Sequence, residues 1–114
     1  MKRISKDLIG ASTIPIVLTI LSKGDSYGYE IMQKVKELSL GKIEWKEGSL
    51  YPVLKKLENE KLIKSYWKVR KNQRPRKYYT ILDAGKLELV QEKEEWSLMQ
   101  GILDRLWSPR GSLT

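Results

Sequence analysis

Hydroxyl, phenol and ammonium groups are concentrated in one stretch of this sequence, residues 47–58. Apolar residues recur in it at helical spacing, which predicts a short helix with one face directed at a core. These apolar positions are Leu50, Val53, Leu54 and Leu57. The other sides carry Ser49, Tyr51, Pro52, Lys55 and Lys56. Such a surface suits an anionic polymer, although an ordinary surface helix with solvated lysines would have the same pattern.

Two residues predict where this helix begins. Ser49 follows Gly48 and precedes most of the apolar run, so its hydroxyl is expected to cap the helix. Pro52 would then lie in the first turn, where its missing N–H costs little.

The next segment changes from helical to strand periodicity and is strongly basic. Residues 62–70 and 76–81 are rich in β-forming side chains, and the polar residues 71–75 between them predict a hairpin. From Lys61 to Lys77 eight residues are basic and none is acidic. Because like charges repel, we expect this hairpin to be more stable with a bound anion. A solvated hairpin would explain the lysines but not the absence of acids.

The composition agrees with this picture and excludes several kinds of chemistry. The 114 residues include 22 Lys and Arg against 14 Asp and Glu, a formal net charge of +8. This balance favours a nucleic-acid-binding domain, with an anionic membrane surface as the alternative. The sequence has no Cys and no His, which excludes thiol nucleophiles, disulfides, histidine general bases and the usual zinc sites. We therefore expect no enzyme activity, no catalytic residue, no metal and no cofactor.

No stretch of the sequence is apolar over the roughly 20 residues that a membrane span needs. The longest apolar run, Ile14 to Leu21, is short and contains Thr19. The N-terminal residues lack the apolar core of a signal peptide. We expect a cytoplasmic protein without a membrane partner.

Two helices are predicted before residues 47–58. Residues 7–22 have a broad apolar face, and Pro15 either kinks this helix or lies in the first turn of a regular part that begins near Thr13. Residues 27–40 form the second helix. The alternation in residues 42–46 predicts a very short strand.

A long last helix is predicted over residues 84–107, with Asp83 as its N-cap. Its second half keeps an apolar spacing close to a heptad seam, and a helix of this length extends beyond the compact domain. The simplest way to bury this apolar seam is to pair it with a second copy of the chain in a twofold dimer. The predicted dimer contacts are Leu98, Ile102, Leu103 and Leu106. Residues 108–114 are predicted to be a disordered tail.

Three short helices followed by a basic hairpin is the order of a winged helix-turn-helix. We predict a mainly α protein with a β-hairpin (α+β), in which residues 5–82 bind DNA and residues 83–107 form a dimerisation helix. In that architecture the third helix enters the major groove, and the hairpin lies along the backbone or in the minor groove. The predicted DNA contacts are Ser49, Tyr51, Lys55, Lys56, Lys46, Arg74, Arg76 and Lys77.

Several motifs of this sequence resemble the PadR family of bacterial transcriptional regulators. They are Tyr27-Gly28-Tyr29-Glu30-Ile31, Glu47-Gly48-Ser49-Leu50-Tyr51-Pro52-Val53-Leu54, Arg76-Lys77-Tyr78-Tyr79, Gly85 and Trp96. The single C-terminal helix resembles the small branch of the family, subfamily 2, which includes the LmrR-like multidrug-binding repressors.

The resemblance implies a homodimer that represses a nearby promoter at a pseudo-palindromic operator in double-stranded DNA. It also implies release by a small planar aromatic or phenolic ligand. In the LmrR-like branch a tryptophan on the last helix of each subunit stacks on the drug, and Trp96 falls at the matching position. Further predicted ligand contacts are Met99, Gln100, Ala11 and Ile14. The alternative is that Trp96 is a dimer-core residue and that no ligand exists.

A second class of function uses the same basic face without sequence preference. A non-specific DNA- or RNA-binding protein could stack unpaired bases on the aromatic side chains of the hairpin. These are Tyr66, Trp67, Tyr78 and Tyr79.

Overall fold

Four helices and a small antiparallel sheet form the fold of residues 4–109, the part of the chain that the computed structural model describes. The elements in chain order are α1 (Lys6–Ser22), β1 (Ser26–Tyr27), α2 (Gly28–Leu38), α3 (Glu47–Asn59), β2 (Ile63–Lys68), β3 (Arg76–Ile81) and α4 (Asp83–Trp107). This is the predicted α+β class. Most of the predicted disordered tail, residues 110–114, lies outside the described residues.

The sheet has the strand order β1-β3-β2 with antiparallel pairing throughout. The predicted hairpin is confirmed, although β2 is shorter than the predicted 62–70. The short strand β1 was not predicted, and it occupies the outer edge of β3 through the pair Ser26↔Tyr79. The strand predicted at 42–46 is wrong: this segment is not part of a sheet, and its alternation instead buries Trp45 in the core.

The core lies where α1, α2 and α3 meet one face of the sheet. Its helical members recur at the predicted helical spacing, and Ile63 and Tyr79 join them from the sheet. The buried set includes Val17, Leu18, Leu21, Ile31, Val35, Leu50, Leu54, Leu57, Ile63, Tyr79 and Leu89. The predicted inward face of α3 is confirmed, with Val53 partly buried beside the three leucines.

Helix α3 begins earlier than predicted. Its N-cap position is Lys46, which makes no side-chain capping bond. The Lys46 carbonyl accepts backbone bonds from Ser49 N over 2.9 Å and from Leu50 N over 3.0 Å. Ser49 therefore lies inside the first turn, so its predicted role as the cap is wrong. Pro52 falls in the second turn, not the first. It lies on the exposed side of the helix, where water can bond the carbonyl that its missing N–H leaves free.

The start of α4 also differs from the prediction. Leu82 holds the N-cap position without a side-chain bond, and Asp83 is the first helical residue, so its predicted role as the cap is wrong. The Leu82 N–H donates to the Leu62 carbonyl over 2.9 Å, which fixes the chain at the end of the sheet. Helix α1 continues through Pro15 without a break, and α2 begins at Gly28 because Tyr27 belongs to β1.

Only the first part of α4 belongs to the core. Gly85 and Leu89 are buried, whereas Leu98, Met99 and Leu106 are exposed on the distal half. The helix has 25 residues, and its far end extends away from the other elements, which gives the molecule a long dimension of 65 Å. None of the helices within residues 4–109 combines the length and the apolarity that crossing a membrane requires. The proposed boundary between residues 82 and 83 stays a prediction.

Gly85 lets α4 approach the chain that precedes it. A Cβ atom at this position would overlap the carbonyl oxygen of Leu62 and lie 2.8 Å from Cγ1 of Ile81. We expect Gly85→Ala to destabilise the fold by about 1–3 kcal/mol, the usual cost of overpacking. The measurement is the free energy of unfolding in urea.

The matched control is Gly10→Ala in α1, because a Cβ there meets nothing within 4 Å. We expect it to stabilise the fold by up to about 1 kcal/mol through helix propensity. Equal effects of the two substitutions would contradict the packing argument.

Candidate nucleic-acid interface

Helix α3 presents its polar side chains to solvent because its leucines are buried. Ser49, Tyr51, Lys55 and Lys56 are exposed on the sides away from the core. No ion pair within residues 4–109 neutralises Lys55 or Lys56. Lys46, one residue before the helix, is also exposed and is likewise without an ion pair in that part of the chain. These charges are available to an anionic partner.

Tyr51 is held in place by its contact with the start of α2. Its ring lies directly over Gly28, where an added Cβ would be 2.8 Å from the Tyr51 Cζ atom. The side chain nevertheless stays 42% exposed. Tyr51 therefore packs α3 onto α2 and still offers part of its surface to a partner.

The hairpin β2–β3, here called the wing, has two different faces. On its outer face the rings of Tyr66 and Tyr78 stack with centroids 5.9 Å apart, and Tyr27 meets Tyr78 edge-on at 5.2 Å. Lys68 Nζ lies 4.9 Å from the Tyr78 ring centroid, and the Arg76 guanidinium carbon lies 4.6 Å from that of Tyr27. This arrangement fixes two cations above a platform of three tyrosines.

Hydrogen bonds tie this platform to neighbouring elements. Arg76 Nη1 donates to the Tyr27 hydroxyl over 3.0 Å, and the Tyr66 hydroxyl donates to Asp25 Oδ2 over 2.6 Å. The bond from Tyr66, with a further one from Thr80, lowers the pKa of the Asp25 carboxyl below its ordinary value. The same bond to Asp25 raises the pKa of Tyr66. The outer face is thus oriented by contacts across the sheet.

The inner face of the wing contacts α3. Glu58 Oε2 accepts a hydrogen bond from the Ser65 hydroxyl over 2.8 Å, and its Oε1 lies 3.8 Å from Lys77 Nζ. Tyr79 is buried beside them, and burial raises its pKa to about 12, with a smaller contribution from the Glu58 carboxylate. Lys77 therefore lies on the opposite face of the wing from Arg76.

The tip of the wing carries further free cations. Arg70 and Arg74 are exposed there, and with Lys68, Arg76 and Tyr78 they border a shallow hollow. Asn72 has φ 63°, in the left-handed region that asparagine tolerates, and this turns the chain. Of the predicted DNA contacts on the wing, Arg74 and Arg76 lie near one another, whereas Lys77 is directed to α3.

A second, apolar site is a groove of about 410 Å³ between α1, α2 and α4. Trp96 lines it together with Lys93, and the other walls are mostly aliphatic. The wall residues are Ser12, Pro15, Ile16, Thr19, Ile20, Val35, Leu38, Ser39, Ile43 and Leu89. The other predicted ligand contacts are not among them: Ala11, Met99 and Gln100 are exposed elsewhere, and Ile14 packs against the core.

The distal half of α4 displays the predicted dimer contacts. Leu98 is 68% exposed, Leu106 is 43% exposed and Ile102 is 37% exposed. Leu103 is half-buried. These side chains form an apolar surface that no other part of residues 4–109 buries.

This geometry agrees with what known proteins of similar sequence share. A family model for PadR-like transcriptional regulators matches residues 17–91, which span the end of α1, α2, α3, the sheet and the first part of α4. The chain belongs to the PadR-like family of transcriptional regulators. The family predicted from the motifs is thus confirmed, and the winged helix fold is that of a DNA-binding regulator.

Three similar proteins illustrate the range of this PadR-like family. The structure of a transcriptional regulator from Clostridium thermocellum is 33% identical and superposes with a TM-score of 0.84, covering 92% of this chain and 99% of that one. The negative transcriptional regulator PadR of Bacillus subtilis is 39% identical over 75 residues, which are 64% of this chain and 40% of that protein. An uncharacterised protein of Lysinibacillus sphaericus is 32% identical over 101 residues, with 89% and 93% of the two chains covered.

Three residues of the candidate nucleic-acid interface were not predicted from the sequence. Tyr27 was assigned to a helix, although it belongs to the sheet and holds Arg76. Lys68 was not singled out, although strand alternation places it on the same face as its cross-strand partner Arg76. Glu58 gave no local signal, because its partners lie 7 and 19 residues further along the chain.

Proposed function

We propose that this PadR-family protein is a homodimeric repressor that binds a pseudo-palindromic operator in double-stranded DNA. The observation that carries the proposal is the set of unpaired cations on α3 and the wing, which lie on two elements joined by Glu58. Ser49, Tyr51 and Lys55 would contact base edges in the major groove, while Lys46, Lys56, Arg74 and Arg76 would contact phosphates. The work of such a regulator on a bacterial chromosome would place it in the cytoplasm.

The arrangement of the wing tyrosines favours a duplex over single strands. Tyr79 is buried, and Tyr66 and Tyr78 already stack on each other. Lys68 and Arg76 lie over the rings of Tyr78 and Tyr27. Because these tyrosine faces are already engaged, Trp67, which is 65% exposed, is the one ring of the predicted set that stays free to stack on unpaired bases. This argues against the non-specific RNA-binding alternative.

Two uncovered apolar surfaces on one chain support a homodimer. One is the groove between α1, α2 and α4, and the other is the distal half of α4. A helix of 25 residues is about 37 Å long at 1.5 Å per residue, so its far end can reach a second subunit. In the proposed dimer the distal α4 of each subunit packs against α1 and α4 of the other, which covers both surfaces at once.

The position of Trp96 supports a ligand site at the dimer centre. This residue is 38% exposed near the middle of α4, at the edge of the groove. In the proposed dimer the two Trp96 rings would flank a flat space, with Met99, Gln100, Ala11 and Ile14 around it. A planar aromatic or phenolic compound stacked there would change the angle between subunits and so the distance between the two α3 helices.

The direct test of the function is fluorescence anisotropy with a labelled duplex from upstream of the protein's own gene. We expect this duplex to bind at least ~10³-fold more tightly than a random duplex of equal length, with affinity falling steeply as salt rises. Equal affinity for both duplexes, with only a salt dependence, would contradict the repressor and support a non-specific binder.

The role of Trp96 is tested by adding phenolic acids and non-intercalating planar drugs to the same complex. We expect some of them to release the duplex, and Trp96→Ala to weaken ligand binding roughly 10-fold through loss of stacking. Trp107→Ala is the matched control, because that tryptophan is 72% exposed at the far end of α4. Unchanged ligand affinity and unchanged release in Trp96→Ala would refute the site.

A further inference from the structure

A single acidic side chain lies at the junction between α3 and the wing. Glu58 is in the last turn of α3, and its carboxylate contacts both strands of the hairpin: Ser65 on β2 at 2.8 Å and Lys77 on β3 at 3.8 Å. Its side chain is 27% exposed and that of Lys77 is 41% exposed. The pair is therefore partly shielded from the solvent that weakens surface ion pairs.

The strand register explains why one carboxylate can reach two strands. Ser65 is the cross-strand partner of Tyr79, and Trp67 is that of Lys77. Residues 65 and 77 thus lie on the same inner face, diagonally across the ladder. A group that contacts both fixes the position of the whole hairpin on α3, not of one strand alone.

Lys77 differs from the other basic residues of the wing. From Lys61 to Lys77 the sequence has eight cations and no acid. Within residues 4–109, Lys77 is the only one of these eight with an ion pair, and its partner comes from α3. Asp25, on the other face, bonds the neutral hydroxyl of Tyr66.

Tyr79 also lies close to Lys77 but supplies no counter-charge. The Tyr79 ring lies 5.7 Å from Lys77 Nζ, but burial raises the pKa of Tyr79 to about 12. Tyr79 therefore stays neutral at physiological pH. Without the Glu58 carboxylate, Lys77 would be a further free cation at the edge of the DNA-facing surface.

We infer that Glu58 is a positioning residue for DNA recognition, which fixes the wing on α3 and withholds Lys77 from the phosphate backbone. This inference rests on the proposed function. It revises the expected role of Lys77, which becomes a structural partner and not a phosphate contact. Because phosphate contacts add affinity without sequence preference, withholding one favours the operator over other DNA.

The test is Glu58→Gln, which keeps an oxygen acceptor for Ser65 and removes the charge that holds Lys77. Anisotropy is measured with operator and random duplexes over a salt series. We expect random duplex to bind more tightly, the operator preference to fall, and the plot of log affinity against log salt to steepen by about 0.9, the value of one added phosphate contact. A purely structural role would lower stability and leave this slope unchanged.

Glu60→Gln is the matched control. Glu60 is exposed at the end of α3, and no ion pair joins it to another residue of 4–109. Its substitution changes the net charge by the same amount, and we expect the slope of the unsubstituted protein. An equal steepening in Glu60→Gln would overturn the inference, because general electrostatics would then explain it.

Lys77→Gln tests the same inference without changing any residue of α3. We expect it to leave the salt slope as it is, and the double substitution Glu58→Gln/Lys77→Gln to restore that slope. A slope shallower by about 0.9 in Lys77→Gln alone would show a phosphate contact by Lys77 and overturn the inference. The operator preference of the unsubstituted protein is measured before that of any variant. Lack of this preference would overturn the proposed function instead.

Discussion

The complete burial of three leucines on α3 is the constraint on which the DNA-facing surface depends. Leu50, Leu54 and Leu57 are each 0% exposed. Burying a leucine side chain contributes roughly 1.5–3 kcal/mol, so any rotation of α3 about its axis would be costly. The helix therefore holds Lys55 towards solvent and Glu58 towards the wing. The burial of these leucines thus orients both the charges proposed to contact DNA and the carboxylate that holds the hairpin.

The second constraint is that the chain has more apolar surface than its own fold covers. The core includes α4 as far as Leu89, beyond which Leu98, Met99 and Leu106 lie exposed. The groove that Trp96 lines is apolar as well. In the proposed dimer these surfaces cover each other, so the assembly that presents two α3 helices to DNA also completes the burial. A ligand at Trp96 would then act on the interface that sets their separation.

Structural features that depend on local periodicity could be predicted from the sequence. The inward face of α3 and the bounds of β3 follow from spacing alone. The two residues of β1 are too few to show a period, and the alternation in 42–46 reflected burial of Trp45 without a strand partner. Strand alternation separates Lys77 from Arg76, but its contact with Glu58 depends on how the wing packs on α3. The groove that Trp96 lines forms only where three helices meet, so the sequence of any one helix could not predict it.

In the proposed dimer, two copies of α3 and the wing reach DNA together through pairing of α4. Hydroxyl-radical footprinting of the operator tests it with the unsubstituted protein, Ile102→Glu on the apolar face and Ser97→Glu on the exposed opposite face of the same helix. We predict two protected tracts with centres about 10–10.5 base pairs apart, or a multiple of this, for the unsubstituted protein and Ser97→Glu. Ile102→Glu should lose the paired pattern. A single protected tract, or the same pattern with Ile102→Glu, would contradict binding by a dimer paired through α4.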